Sequence, residues 1–170
     1  GGAGADVIDG GAGNDIFKYS TTAELVNTNA LIDSIDGGTG TDTIQLTAAS
    51  GTTLTLAKTD LIEARAANME SITAGASAGV IDLTTSAGLF SDGITTIDLS
   101  GDTDAAGSNV INVSNDDADE AWTLTGSAGI DTITGDGGID TITGGAGADV
   151  IDGGAGADVI DGGAGNDIFK

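Results

Sequence analysis

Residues 126–170 read GSAGIDTIT, GDGGIDTIT, GGAGADVID, GGAGADVID and GGAGNDIFK, which are five consecutive nonapeptides without a gap. Each has Gly at its first and fourth positions, Asp at its sixth and a large apolar residue at its eighth. A short period held over several repeats indicates a solenoid, because each repeat can bury its apolar side only against its neighbours. This stretch therefore predicts the fold of the whole chain.

The same frame opens the chain. Residues 1–18 read GGAGADVID and GGAGNDIFK and match residues 153–170 letter for letter. The offset of 152 residues predicts one unit of a tandem array followed by the start of the next unit; the alternative is that such nonapeptides look alike wherever they occur. The frame continues to residue 45, although residues 19–36 lack the turn glycines. Because the chain starts in the middle of a repeat, we expect it to be a segment of a longer protein.

Between residues 46 and 125 the nonapeptide pattern is lost. Residues 59–69 predict a short helix, since Asp60 and Glu63 are spaced as a capping box ahead of an apolar face. Alternation of apolar and polar residues then predicts strands at 70–75, 79–86, 95–101 and 109–115. Trp122 is interpreted as a core residue at the point where these strands meet the C-terminal repeats. With no linker visible, we expect one continuous stack made of segments 1–45, 46–125 and 126–170.

The composition narrows the classes of function. Four basic residues face 27 acidic ones, a net charge of −23, which disfavours binding to nucleic acid or to anionic membranes. The chain has no Cys and no His, so it lacks disulfides, thiolate metal sites and the usual general base. No apolar run reaches the length of a membrane span. Catalysis within this segment is therefore not expected.

The pattern GGxGxDxUx, where U is a large apolar residue, resembles the RTX (repeats-in-toxin) family. The resemblance implies an all-β fold, a parallel β-roll in which six residues form a turn, three form a strand and two nonapeptides complete a coil. It also implies several Ca²⁺ ions bound in the turns. The eighth residues would form the core strip, and Gly at the first, second and fourth positions would permit the turn.

The implied ligands are the sixth-position carboxylates and the turn carbonyls. The carboxylates are Asp131, Asp140, Asp149, Asp158, Asp167, Asp6, Asp15, Asp33 and Asp42. The carbonyls are those of turn residues such as Gly135, Gly137, Gly144, Ala146, Gly153 and Gly162, and the alanines Ala155 and Ala164 are not counted among them.

With two nonapeptides per coil, Asp residues 18 positions apart become neighbours, as in the pairs Asp131 with Asp149, Asp140 with Asp158, and Asp149 with Asp167. At about 4.8 Å and an effective dielectric near 20, two carboxylates repel by roughly 3 to 4 kcal/mol. Calcium suits such a gap because it accepts many oxygen ligands in flexible geometry, whereas each Asp alone could simply hold an Asx turn. At the N-terminus the same spacing pairs Asp15 with Asp33 and Asp6 with Glu24, which departs from the motif.

The resemblance further implies a secreted bacterial protein. We expect a structural, non-enzymatic, calcium-binding repeat at the cell surface, in a surface layer, a fibre or an adhesin, that folds and becomes rigid in extracellular Ca²⁺. Its expected partners are other copies of itself and surface glycans, and neither nucleic acid nor an inserted membrane. The threonine rows of Thr132, Thr134, Thr141 and Thr143 are of a kind that can bind ice or glycans, but the favoured interpretation is their ordinary role as exposed β-forming residues. The alternative is an accessory module of a secreted enzyme or toxin.

Overall fold

A computed structural model of the chain describes residues 4–21, 33–49, 52–56, 66–76, 79–84, 93–114 and 120–170. Within these ranges the chain forms sixteen short strands and no helix. The strands are β1 Val7–Asp9, β2 Ile16–Tyr19, β3 Ser34–Asp36, β4 Thr43–Leu46, β5 Thr53–Leu56, β6 Ala66–Ala67, β7 Ser71–Ala74, β8 Val80–Thr84, β9 Thr96–Asp98, β10 Ser108–Asn112, β11 Thr123–Thr125, β12 Ile130–Thr134, β13 Thr141–Thr143, β14 Val150–Asp152, β15 Val159–Asp161 and β16 Ile168–Phe169.

The strands form three parallel sheets that share one core. The long sheet has the order β15-β13-β11-β9-β7-β4-β2, the second sheet β16-β14-β12-β10-β8-β5, and the short sheet β1-β3-β6. Each strand pairs with strands that come one turn of the chain earlier and later, so the chain winds as a solenoid. The predicted all-β parallel solenoid is therefore confirmed.

The number of strands per coil changes along the stack. In the C-terminal part Ile133 pairs with Ile151, 18 residues on, and each coil contains two strands, as predicted. At the N-terminus Ile8 pairs with Ile35, 27 residues on, and the next two coils contain three strands each, β3 to β5 and β6 to β8. Three nonapeptides, not two, therefore complete a coil at the N-terminal end. The predicted 18-residue register of that end is wrong.

The strands predicted in the irregular segment are confirmed as β7, β8, β9 and β10, which pair in parallel with their neighbours. Asp82 and Asp98 lie on different sheets, so the spacing between them measures part of a coil. The spacing of whole coils varies here, from 28 residues between Ile81 and Asn109 to 22 between Asn109 and Asp131. The strand ladders stay in register across both spacings.

The predicted helix at 59–69 is wrong for the part that the structure describes. Ala66 and Ala67 form strand β6, whose residues pair with Ile35 and Asp36 of β3. The apolar side chains of Ala66 and Met69 are buried in the solenoid core. Pairing with an open strand edge and burial of both residues outweigh the local helical pattern. Residues 57–65 lie outside the described part of the chain.

The core is a continuous strip of small and branched side chains from the inward faces of the strands. The eighth residues of the nonapeptides contribute Ile35, Ile44, Ile133, Ile142 and Ile151, all buried as predicted. Trp122 is also buried, which confirms its interpretation as a core residue. Ile8, Ile160 and Phe169 lie in the end coils and are only partly covered, Phe169 remaining 56% exposed. The described residues contain no helix of the length and apolarity that a membrane span needs.

Candidate metal sites

The sixth-position Asp residues of the C-terminal repeats stack in columns. The Asp149 Oδ1 atom accepts a hydrogen bond from the backbone N–H of Asp131 at 2.8 Å. The same contact joins Asp158 to the N–H of Asp140 at 3.0 Å, and Asp167 to the N–H of Asp149 at 3.1 Å. Each carboxylate is thus fixed against the preceding coil. The three predicted pairs are confirmed as neighbours.

The N-terminal Asp residues form the same contact at a different spacing. Asp33 Oδ1 accepts the N–H of Asp6 at 3.0 Å, and Asp42 Oδ1 accepts the N–H of Asp15 at 2.7 Å. The members of each pair are 27 residues apart, the length of three nonapeptides. The predicted pairing of Asp15 with Asp33 is therefore wrong. The predicted pairing of Asp6 with Glu24 is also replaced, since Asp33 occupies that place, and Glu24 lies outside the described residues.

The second carboxylate oxygen faces the first glycine of its own turn. A Cβ atom built on Gly144 would lie 2.5 Å from both Asp149 Oδ2 and the carbonyl oxygen of Gly162 in the next coil. The first-position carbonyls of Gly144, Gly153 and Gly162 all approach an Asp carboxylate in this way. Glycine is needed at the first position to make room for these two oxygens. Within the described nonapeptides, the glycines with positive φ stand at the second and fourth positions, as Gly145 (+108°) and Gly147 (+135°) do.

The third-position carbonyls have a different environment. The carbonyl of Ala164 accepts a hydrogen bond from the N–H of Gly147 at 2.8 Å. Ligation by the third-position carbonyls of Gly137 and Ala146, and by the first-position carbonyl of Gly135, stays a prediction. Among the described residues, no three acidic side chains gather closely enough to hold a metal by themselves. A cation at these turns would therefore draw on backbone carbonyls as well as on carboxylates.

Four of the sixth-position carboxylates, and that of Asp136 at the second position of its nonapeptide, contain an oxygen that is buried and has no hydrogen-bond partner. The oxygens are the Oδ2 atoms of Asp6, Asp15, Asp42, Asp136 and Asp149. An unpaired buried carboxylate oxygen is costly, since burial removes water and supplies no donor in its place. A hard cation with many oxygen ligands satisfies such an atom, and the turns offer only carboxylate and carbonyl oxygens. The residues present therefore fit Ca²⁺.

The pKa values of the buried Asp residues in the C-terminal columns agree with this fit. Burial raises the pKa of Asp149 above its usual value, and the carboxylate of Asp167 raises it further, although the hydrogen bond from Asp131 N opposes the shift. Burial likewise raises the pKa of Asp131 and of Asp140, against the hydrogen bonds that they accept. Without a counter-ion, the coil disfavours the charged form of these groups.

Two nonapeptides satisfy their Asp internally. In GSAGIDTIT the N–H of Ser127 donates to Asp131 Oδ2 at 2.6 Å, and the Ser127 hydroxyl donates to the same carboxylate at 3.0 Å. In GDGGIDTIT the N–H of Asp136 donates to Asp140 Oδ2 at 3.2 Å. In two GGAG turns the corresponding N–H donates instead to the Asp that precedes the turn, as Gly154 does to Asp152. Asp131 and Asp140 therefore need a cation less than Asp149 does.

Two residues that were not predicted complete the columns in the irregular segment. Asn109 Oδ1 accepts the N–H of Ile81 at 2.7 Å, and Glu70 Oε2 accepts the N–H of Asp42 at 2.6 Å. Each stands two residues before a buried Ile, as Asp does in the repeat. This spacing in the sequence is the pattern that could have identified the two residues as members of the columns. The glycine-rich nonapeptide pattern misses them, because their turns do not have its full set of glycines.

Known families and proteins were compared with the chain. The family described as RTX calcium-binding nonapeptide repeat (4 copies) matches residues 1–18, 27–47, 123–138 and 134–169, just over half of the chain. No curated protein and no solved structure matches at a significant level. The matched segments contain the confirmed Asp columns and most of the unpaired carboxylate oxygens. The chain therefore belongs to the RTX calcium-binding nonapeptide repeat family, which typifies secreted bacterial proteins and whose repeats bind several Ca²⁺ ions.

Proposed function

We propose that this chain is a structural, non-enzymatic part of a bacterial cell-surface protein, such as a surface layer, a fibre or an adhesin. In this proposal it folds and becomes rigid when it meets extracellular Ca²⁺. One observation carries the calcium dependence: carboxylates stack from coil to coil, and several retain a buried oxygen without a partner.

The stacked charges explain why folding would wait for calcium. Asp131, Asp149 and Asp167 lie in one column on successive coils. At the strand spacing of about 4.8 Å, each neighbouring pair repels by roughly 3.5 kcal/mol at an effective dielectric near 20. Bound Ca²⁺ supplies the positive charge that reverses this repulsion. A cation that binds only the coiled form shifts the equilibrium towards it, so the metal concentration sets the folded fraction.

The two ends of the chain support assembly with further copies. The sequence of residues 1–18 recurs as residues 153–170. At one end this sequence stacks on the following coil with a 27-residue register, and at the other it stacks on the preceding coil with an 18-residue register. These 18 residues can therefore serve as the end of one unit and the start of the next. This compatibility supports the proposed tandem or assembled partners.

The outer face of the long sheet supports a contact with surface glycans. Thr141 stacks on Thr123, and Thr123 on Thr96, so hydroxyl side chains form a row across three coils. Thr132 does not extend such a row, since it stacks on Val150. A glycan array probed with the calcium-loaded protein and with Thr123→Val tests this contact. Equal binding by the two proteins would argue against the row.

Circular dichroism in calcium and in chelator tests the main proposal. We expect strand signal in calcium and its loss in chelator, with recovery when calcium is restored. A strand signal that persists unchanged in chelator contradicts calcium-dependent folding. Labelling of intact cells with an antibody against this chain tests the surface location. Release of the labelled protein together with a hydrolytic or pore-forming activity would favour the alternative, an accessory module of a secreted enzyme or toxin.

A further inference from the structure

The turn between β6 and β7 departs from the repeat. It consists of Asn68, Met69 and Glu70, three residues where a nonapeptide turn has six. The family match does not extend to these residues. Asn68 takes the place that a first-position glycine has in other coils, because β6 pairs with β3 so that Asn68 follows Ala67 as Gly37 follows Asp36.

Asp42, on the preceding coil, faces this turn with an unpaired oxygen. The Asp42 side chain is completely buried. Its Oδ1 atom accepts the N–H of Asp15, whereas its Oδ2 atom has no hydrogen-bond partner. A Cβ built on Gly37 would lie 2.6 Å from Asp42 Oδ2 and closer still to the carbonyl oxygen of Asn68. Two oxygens thus converge on one point, and one of them is a buried, unpaired carboxylate oxygen.

The same pair of oxygens occurs at a matched turn. There Asp149 Oδ2 and the carbonyl oxygen of Gly162 converge on Gly144, and Asp149 Oδ2 is again buried and unpaired. The irregular coil therefore reproduces the oxygen arrangement of the repeat without its glycines. Asn68 supplies the carbonyl in place of a glycine.

Glu70 adds a second carboxylate. Its Oε2 atom accepts the N–H of Asp42 at 2.6 Å, which fixes the Glu70 side chain beside Asp42. Asn68 is fixed as well, since its Nδ2 donates to Asp36 Oδ1 at 2.7 Å. The Glu70 carboxylate thus lies at the backbone of Asp42, while Asp42 Oδ2 and the Asn68 carbonyl converge beside Gly37. Hard divalent cations that accept carboxylate and carbonyl oxygens together fit this donor set.

We propose that Asp42, Glu70 and the carbonyl of Asn68 form a Ca²⁺ site that lies partly outside the nonapeptide repeats. Asp42 Oδ2 and the Asn68 carbonyl are ligands. Glu70 positions Asp42 and contributes a second negative charge, and water completes the coordination shell of 6 to 8 oxygens that calcium prefers. The site goes beyond the proposed function, because it does not depend on where the protein is located. It extends cation binding into a coil that the repeat pattern does not cover.

Anomalous scattering from crystals of the unaltered chain grown in calcium tests the site. We expect a calcium peak within bonding distance of Asp42 Oδ2 and the Asn68 carbonyl, about 2.3 to 2.6 Å from each. The absence of a peak there overturns the proposal. Peaks at the Asp149 turn in the same map would show that the failure does not extend to calcium binding by the repeats.

Matched variants give a second test in solution. Glu70→Gln keeps a hydrogen-bond acceptor for the N–H of Asp42 but removes the charge. Asp98→Asn removes one charge from a carboxylate that caps Ser100 N and lies outside the Asp columns. We expect Glu70→Gln to weaken one calcium-binding event by about 10- to 100-fold, the usual effect of losing a supporting carboxylate. Native mass spectrometry and calorimetry measure the ion count and the affinities. If Glu70→Gln matches Asp98→Asn in both quantities, the proposal fails.

Discussion

The substitution Asp149→Asn should change the sign of its effect on stability with the calcium concentration. The Asp149 carboxylate is buried between Asp131 and Asp167 of the neighbouring coils, and its Oδ2 faces the carbonyl oxygen of Gly162. Asparagine keeps an oxygen for the N–H of Asp131 and presents an amide donor to that carbonyl. Without calcium it therefore removes a repulsive charge and gains a hydrogen bond. With calcium it removes a ligand.

The magnitudes follow from this arrangement. Repulsion from one carboxylate at about 4.8 Å and an effective dielectric near 20 is roughly 3.5 kcal/mol, so the variant should stabilise the metal-free coil by up to about that amount. Loss of one ion costs about 2.7 kcal/mol when calcium is 100-fold above the dissociation constant. The stability curves of the variant and the parent protein should therefore cross as calcium rises.

Urea unfolding followed by circular dichroism measures the effect in calcium, from the lowest concentration at which both proteins fold up to millimolar. The strand signal of each protein in chelator measures the effect without the metal. Each ion bound only by the folded form adds about 1.4 kcal/mol of stability per tenfold rise in free calcium, so Asp149→Asn should lose about that slope. Asp131→Asn is the matched control, because Ser127 already donates to both oxygens of Asp131. Its slope should fall less. Equal loss of slope in the two variants, or a strand signal in chelator that Asp149→Asn does not raise above that of the parent protein, refutes the reasoning.

Three further outcomes are expected. In chelator, acidification should favour the coil, because burial raises the folded pKa values of Asp131, Asp140 and Asp149: their contribution to stability is greatest below the ordinary Asp pKa of 3.8 and is lost as pH rises through the folded values. Calcium affinity should fall with acidification, since the ligands must be deprotonated. Circular dichroism against pH, with and without calcium, checks both. Gly144→Ala should destabilise the protein in calcium by about 1 to 3 kcal/mol, as overpacking does, because the added Cβ would displace two oxygens. Gly11→Ala, at φ +88° in open space, should cost only the roughly 1 to 2 kcal/mol of the left-handed conformation, and equal losses in urea unfolding would contradict the crowding argument. Tyr19→Phe should cost about 1 to 3 kcal/mol in thermal unfolding, because it leaves the buried Asp33 oxygen without the phenol donor now 3.1 Å away; an unchanged midpoint would contradict this.

The sequence predicts the local structure well because the repeat encodes it directly. Asp at the sixth position and an apolar residue at the eighth determine which side chains face the turn and which face the core, as at Asp149 and Ile151. The 18-residue register of the C-terminal coils follows from two nonapeptides per coil. These features depend only on neighbours close in the sequence or one coil away.

The cross-section of the coil could not be predicted in the same way. Residues 10–18 and 162–170 have the same sequence, yet Phe17 pairs with Ile44 at 27 residues, whereas Phe169 pairs with Ile151 at 18. The nonapeptide fits both coils equally. The number of residues per coil depends on the length of chain between one pairing strand and the next, and the residues of the nonapeptide itself do not indicate it.

The irregular segment shows why other details were missed. Ala66 and Met69 fit a helical face, but the open edge of β3 and the core beneath it stabilise a strand there. Glu70 lies outside the glycine-rich pattern, and its place in the Asp column follows only from the pairing of β4 with β7. Contacts between distant parts of the chain decide both features.

The change from three strands per coil to two also bears on the response to mechanical force. In parallel sheets the hydrogen bonds run from strand to strand, so in this solenoid they point along the stack. A pull on the two ends of the molecule loads these bonds along their length. The C-terminal coils, with two strands each, oppose the load with fewer such bonds than the N-terminal coils. They also contain the GGAG turns of residues 144–170, so ions bound there would reinforce the coils that tension opens first.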